Sequence, residues 1–211
     1  MKLTVFIASP RGVHSRSTTY VNYFLRGYMT HKGNSFDIFY IKNLHISESL
    51  IQSFKTAERV LLAFPLYWDC MPSNVKAFIE SLEPLCEEEN NPEVAFLVNS
   101  GFPEALQSRY LERYLKKLAF RLQCKLIGTI IKSGIENRIC RLYFYLLGKK
   151  FGKTGLFDRI LIQRIAKPER FTTFGLFSSY YFWSTHIRRC FDSFLIDNNA
   201  YERRYDRPFM K

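Results

Sequence analysis

The sequence predicts an α/β domain: a doubly wound, five-stranded parallel sheet followed by a C-terminal helical and aromatic extension. Three observations carry that expectation. Short β-type runs alternate with longer segments of helical spacing as far as Gly134. Four of the short runs are continuously rich in Val, Ile, Leu and Phe rather than alternating, as strands buried on both faces are. The 211 residues suffice for one such domain with an appendage, which buries roughly 70% of the unfolded surface and requires neither disulfides nor metals.

Taken in order, "LTVFIA" (3–8) reads as the first strand, since its apolar run is too short for a secretory signal. "TTYVNYFLRGYM" (18–29) reads as a helix, "SFDIFYI" (35–41) as a strand and "SLIQSFKTA" (49–57) as a short helix. "RVLLAFPLY" (59–67), "EVAFLVNS" (93–100) and "KLIGTIIKSG" (125–134) supply three more strands. "NVKAFIESLEPL" (74–85) and "EALQSRYLERYLKKLAFRLQ" (104–123) supply the intervening helices. After Gly134 the alternation stops. Residues 136–167 have helical apolar spacing, with Gly148, Gly152 and Gly155 expected to break them into two helices. "FTTFGLFSSYYFWSTHIRRCFDSFLID" (171–197) is the densest aromatic stretch and is expected to end in a helix. The expected division is a core of residues 1–135 and an extension of residues 136–211 that packs on the core and forms a homodimer interface, because such a patch would otherwise stand exposed.

The net charge of +12 is uneven. Residues 1–137 carry 16 Lys/Arg against 13 Asp/Glu, and residues 138–211 carry 15 against 6. A solvated face, a field for an anionic ligand and a nucleic-acid or membrane-surface patch all fit that excess. No RNP, zinc-finger or helix-turn-helix signature accompanies it, so no specific nucleic-acid partner is expected. No apolar run approaches the ~20 residues of a transmembrane helix. The five cysteines form neither a C-x-x-C pair nor an even framework, which fits a reduced, cytoplasmic protein.

In a doubly wound sheet ligands bind outside the carboxyl ends of the strands, where strand order reverses. Three loops occupy such positions: Ser9–Thr18, Pro65–Ser73 and Asn99–Glu104. In the first, a strand gives way to a helix N-terminus, whose unpaired N–H groups and dipole favour an anion. Ser9, Ser15, Ser17 and Thr18 add hydroxyls, Gly12 permits a tight turn, and Arg11 and Arg16 add charge. Phosphate fits these groups; an ordinary cap by Ser15 or Ser17, with the arginines in solvent, fits them too. The second loop is expected to turn sharply at Pro65, and it offers Tyr67, Trp68 and Met71, which suit either a flat conjugated ring or plain core packing. The third offers Asn99 and the amides around Gly101. G-x-G-x-x-G is absent, and "GKKFGKT" (148–154) fails as a P-loop because Leu147 stands where glycine is needed and no strand precedes it.

"SPRGVHSRS" resembles the G-S-P-R-G-x-x-S-N-[ST] phosphate loop of NAD(P)H-dependent FMN reductases with a flavodoxin-like fold. "PLYWDCMPSNVKAFIE" resembles their isoalloxazine loop, "NSGFPEA" their third flavin loop, and "NNAYERRYDRPF" the end of many such proteins. The resemblance implies that Ser9, Arg11, Ser15, Ser17 and Thr18 hold the phosphate of FMN. It implies that Pro65, Leu66, Tyr67, Trp68 and Met71 line the ring, with Asn99, Ser100, Gly101 and Phe102 along its other edge. It implies hydride transfer from NAD(P)H to bound FMN and then to a quinone, free flavin or other small acceptor, with no catalytic side chain required. Two positions depart from the family pattern: Ala8 replaces a glycine, which would crowd the phosphate, and Arg16 replaces a common asparagine. "KNLHISESL" (42–50) lacks the cysteines by which some relatives hold an iron-sulfur centre. Two alternatives stand beside this reading, a flavodoxin-like electron carrier and a flavin-free basic binding protein that keeps the fold.

Overall fold

The computed structural model describes residues 1–67, 70–88, 91–101, 108–134, 138–167, 181, 184–185, 188–197, 199 and 201–203. Trp68, Phe102 and most of the aromatic stretch 171–197 lie outside the described residues.

Five parallel strands form a single sheet: β1 (Lys2–Ile7), β2 (Ser35–Tyr40), β3 (Arg59–Pro65), β4 (Glu93–Asn99) and β5 (Leu126–Lys132). Their spatial order is β2-β1-β3-β4-β5, so the chain reverses its direction of winding at the β1–β3 boundary. The helices are α1 (Arg16–Tyr28), α2 (Glu48–Lys55), α3 (Ser73–Ser81), α4 (Arg109–Arg121), α5 (Arg138–Thr154), α6 (Arg159–Ile165) and α7 (Arg188–Asp197). No helix among the described residues is long and apolar enough to cross a membrane.

The strand period of two explains why the central runs are continuously apolar. On β3, Val60, Leu62 and Phe64 join Phe6, Phe54, Phe78 and Leu115 in the core under α2, α3 and α4. Leu61 and Ala63 face the other way, into a core with Val5, Ile7, Phe24 and Leu97 under α1, α5 and α6. β2 is an edge strand whose residues are exposed or half-buried.

Two expectations are corrected. Gly148 and Gly152 do not break a helix, because α5 runs through both and ends only before Gly155, whose φ of +70° stops it. A side chain at Gly148 would overlap the backbone of Phe24, one at Gly152 that of Tyr28, and one at Gly27 that of Tyr145. These glycines let α1 and α5 touch backbone to backbone. The second correction concerns Pro65, which ends β3 in register with Asn99 and does not itself turn the chain. The reversal follows at Tyr67–Cys70, which exchange backbone hydrogen bonds of 2.9 and 3.1 Å. The compact units are Met1–Glu169 and Arg170–Lys211. The division expected at 135/136 falls inside the first unit, since Phe144, Leu147 and Phe151 of α5 and Leu161 and Ile165 of α6 complete the core beside α1. The second unit contains α7, the helix expected at the end of residues 171–197.

Candidate functional site

The first loop begins where β1 leaves the sheet. Ala8 still bonds across to β3, its N–H donating to the Ala63 carbonyl at 2.8 Å. Its methyl is wholly buried in the apolar core with Phe6 and Phe64, so the missing glycine does not crowd the ligand side of the loop. Gly12 then turns the chain with a φ of +51°, its N–H bonded to the Ser9 carbonyl at 2.9 Å. Positive φ is costly for any residue with a Cβ, which fixes glycine here.

The hydroxyls of this loop divide into two groups. Ser15 caps α1, its Oγ accepting the Thr18 N–H at 3.1 Å, and the Thr18 hydroxyl donates to the Gly12 carbonyl at 2.8 Å. Ser17 Oγ donates to Asn99 Oδ1 at 2.6 Å, a buried tie between the first and third loops. Since the one Thr18 O–H goes to Gly12, the Ser15 hydroxyl donates to Thr18 Oγ1 at 2.9 Å, and the hydroxyls of Ser15, Ser17 and Thr18 are all committed to shaping the loop. Ser9 differs: it is 0% exposed, and its Oγ has no hydrogen-bond partner among the described residues.

The other two loops are tied to the first through Asn99. Its carbonyl accepts the Leu66 N–H at 2.7 Å, and the Ser100 N–H donates to the Lys132 carbonyl at 2.9 Å. Asn74, at the start of α3, donates through Nδ2 to the Ile41 carbonyl at 2.6 Å, which anchors the helix following the second loop to the end of β2. Between the three loops lies a cleft of about 380 Å³, within the usual size of small-molecule sites. Ser9, Arg11, Ser15 and Arg16 line one end, Pro65, Leu66 and Tyr67 a wall, and Asn99, Ser100 and Gly101 the facing edge. No acidic side chain lines it among the described residues. Tyr67 stands 44% exposed at its mouth.

Of the other expected site residues, Met71 packs on the core beneath α3 rather than lining the cleft. His14, in the first loop, is exposed, as is Cys70 in the second. Nothing in the sequence pointed to Lys132, 4% exposed at the end of β5, whose Nζ donates to the Ser133 carbonyl. Nor did it mark Asn74 or Lys42, whose side chain lies against Gly12. Lys132 ends β5 next to the third loop, Asn74 lies in α3 and Lys42 follows β2, and of the three Lys42 lies against the first loop, where the strand order brings it.

No protein-family model matches the sequence, and neither does any curated protein. Solved structures do match. An NAD(P)H:quinone oxidoreductase from Methanothermobacter marburgensis superposes with a TM-score of 0.56 at 13% identity, over 72% of this chain and 96% of that one. An FMN-dependent NADH-azoreductase from Bacillus anthracis, solved with FMN, gives 0.52 at 14% identity, over 79% of this chain and 100% of its own. A WrbA-like flavodoxin from Agrobacterium tumefaciens gives 0.54 at 15%, over 72% and 96%.

The fold is flavodoxin-like. The all-parallel sheet, its strand order and these superpositions agree on that architecture. In a flavodoxin-like sheet the reversal of winding at β1 and β3 opens a crevice at the strands' carboxyl ends, and the cleft stands there.

Proposed function

We propose that the protein is an FMN-dependent NAD(P)H oxidoreductase that takes hydride from a nicotinamide and delivers electrons to a small acceptor such as a quinone or free flavin. The observation that carries the reading is the buried, unpartnered Ser9 hydroxyl in the cleft, next to Arg11 and Arg16 and to the N-terminus of α1. Burying a hydroxyl without a partner costs about 1–3 kcal/mol, and a phosphate oxygen accepting from Ser9 removes that cost.

The residues present fit FMN. Ser9, Arg11 and Arg16 would hold its phosphate, together with the N–H groups that the first turn of α1 leaves unpaired. Ser15, Ser17 and Thr18, expected to touch the phosphate, would instead brace the loop that does. Pro65, Leu66 and Tyr67 would lie along the ring, and Asn99, Ser100 and Gly101 would meet its polar edge. Bound there, FMN supplies the two-electron chemistry, and the protein supplies position and electrostatics. Tyr67, half-exposed at the mouth, would cover the ring face that a nicotinamide must approach. The cationic end of the cleft favours phosphorylated ligands, and the absence of a lining carboxylate among the described residues removes the repulsion they would meet.

The experiment is a titration of the protein with FMN, followed by anaerobic addition of NADH or NADPH. Saturable binding and bleaching of the bound flavin faster than of free FMN are expected. Binding without bleaching would make the protein an electron carrier, and failure to bind FMN would overturn the reading.

A further inference from the structure

The connection between β2 and α2 carries a lysine that has no task in the reading above. Lys42 follows Ile41, whose backbone is held from two sides. The Ile41 N–H donates to the Ile7 carbonyl at 3.0 Å, and its carbonyl accepts from Asn74 Nδ2 at 2.6 Å. Ile41 and Asn74 are each only 2% exposed, so this clamp fixes where the chain leaves the sheet, beside the carboxyl end of β1.

From that point the Lys42 side chain lies across Gly12. Its methylenes occupy the space a side chain at position 12 would fill, and Nζ stands 3.0 Å from where that Cβ would be. The ammonium is thereby brought to the loop that carries Arg11 and Arg16. Among the described residues no carboxylate pairs with Lys42. Lys42 adds a third positive charge beside the two of this loop; like charges repel one another, and an anion of two charges relieves that repulsion.

We infer that Lys42 is a further phosphate-binding cation of the first loop, one that makes the site discriminate a phosphorylated flavin from its unphosphorylated counterpart. This rests on the flavin site proposed above and extends it to a residue from a separate element. Lys42 does not line the cleft itself but lies against Gly12, in the loop between Arg11 and Ser15, so its charge acts on the phosphate bound by that loop and not on a ring beside Pro65, Leu66 and Tyr67.

The test replaces charge while retaining the packed methylenes: Lys42→Met, with Lys42→Arg as the conservative variant. FMN and riboflavin are each titrated against the proteins, with binding followed by flavin fluorescence at two salt concentrations. In Lys42→Met the Kd for FMN should rise about 5- to 15-fold and its salt dependence should flatten, while that for riboflavin moves less than about 2-fold. Lys42→Arg should retain most of the FMN affinity. Equal changes for both flavins, or none for either, would overturn the role of Lys42 and leave the flavin site standing. A wild-type protein that takes neither flavin would remove the site and the inference together.

Discussion

Replacing Ser9 by alanine should stabilise the ligand-free protein and weaken flavin binding, two effects of opposite sign from one atom. The hydroxyl is fully buried without a partner, and such a group costs about 1–3 kcal/mol in proteins. Alanine removes that cost and leaves a void of less than one methyl group, so a net gain of about 1 kcal/mol is expected. For a chain of this size that corresponds to roughly 2–4 °C in melting temperature. In the complex, the same hydroxyl donates to a charged phosphate, a bond worth about 1.5–3 kcal/mol. Its loss should raise the Kd for FMN by roughly 10- to 150-fold, with a far smaller change for riboflavin. Urea denaturation without ligand and a fluorescence titration with each flavin measure the two halves. A destabilised Ser9→Ala would mean that the hydroxyl already has a partner in the free protein. An unchanged FMN affinity would mean that no phosphate sits there.

Ser17→Ala strands the buried Asn99 Oδ1, so stability should fall by about 1–3 kcal/mol in urea titrations and flavin binding should weaken as the third loop loosens. Gly148→Ala drives a methyl into the Phe24 backbone; a loss of about 3 kcal/mol or more is expected by denaturation, because backbone cannot step aside as a side chain can. Glu93 is held below the usual carboxylate range by hydrogen bonds from Lys125 and Arg59. A lowered folded-state pKa contributes stability that is complete above the ordinary glutamate value and lost as pH falls through the folded one. Glu93→Gln should therefore cost about 1 kcal/mol at pH 7 and nothing once both carboxyl forms are protonated, as urea midpoints from pH 7 to pH 2 will show. Deleting residues 171–211 should give a monomer or an insoluble protein by size-exclusion chromatography, if the aromatic tail forms a dimer interface; a soluble dimer would exclude that role.

The sheet was legible because β1, β3 and β4 are buried on both faces, so that between their end residues Thr4 is the one polar side chain to blur the pattern. The three site loops followed from topology, since a doubly wound sheet gathers its strand ends at one edge. Glycine was where the pattern misled. Gly155 stops a helix through its positive φ, whereas Gly148 and Gly152 permit close approach to α1, and one residue type serves both ends. The four-residue spacing of Gly148 and Gly152, which places them on one helix face, is the signal that separates the two uses. Within the first loop, hydroxyls that look alike in sequence differ in their bonds: Ser17 reaches Asn99, 82 positions away, and only the folded chain reveals it. Lys42 was hidden for the same reason, because its proximity to Gly12 depends on β2 lying next to β1.

The central claim is that the loop after β1 grips the phosphate of a mononucleotide while its ring lies between the second and third loops. A crystal structure of the protein soaked in FMN tests it most directly. The account predicts a phosphate oxygen within hydrogen-bond distance of Ser9 Oγ, and a ring lying between Tyr67 and Gly101. A cleft without flavin at saturating concentration, or flavin bound with its phosphate away from Ser9, would contradict it.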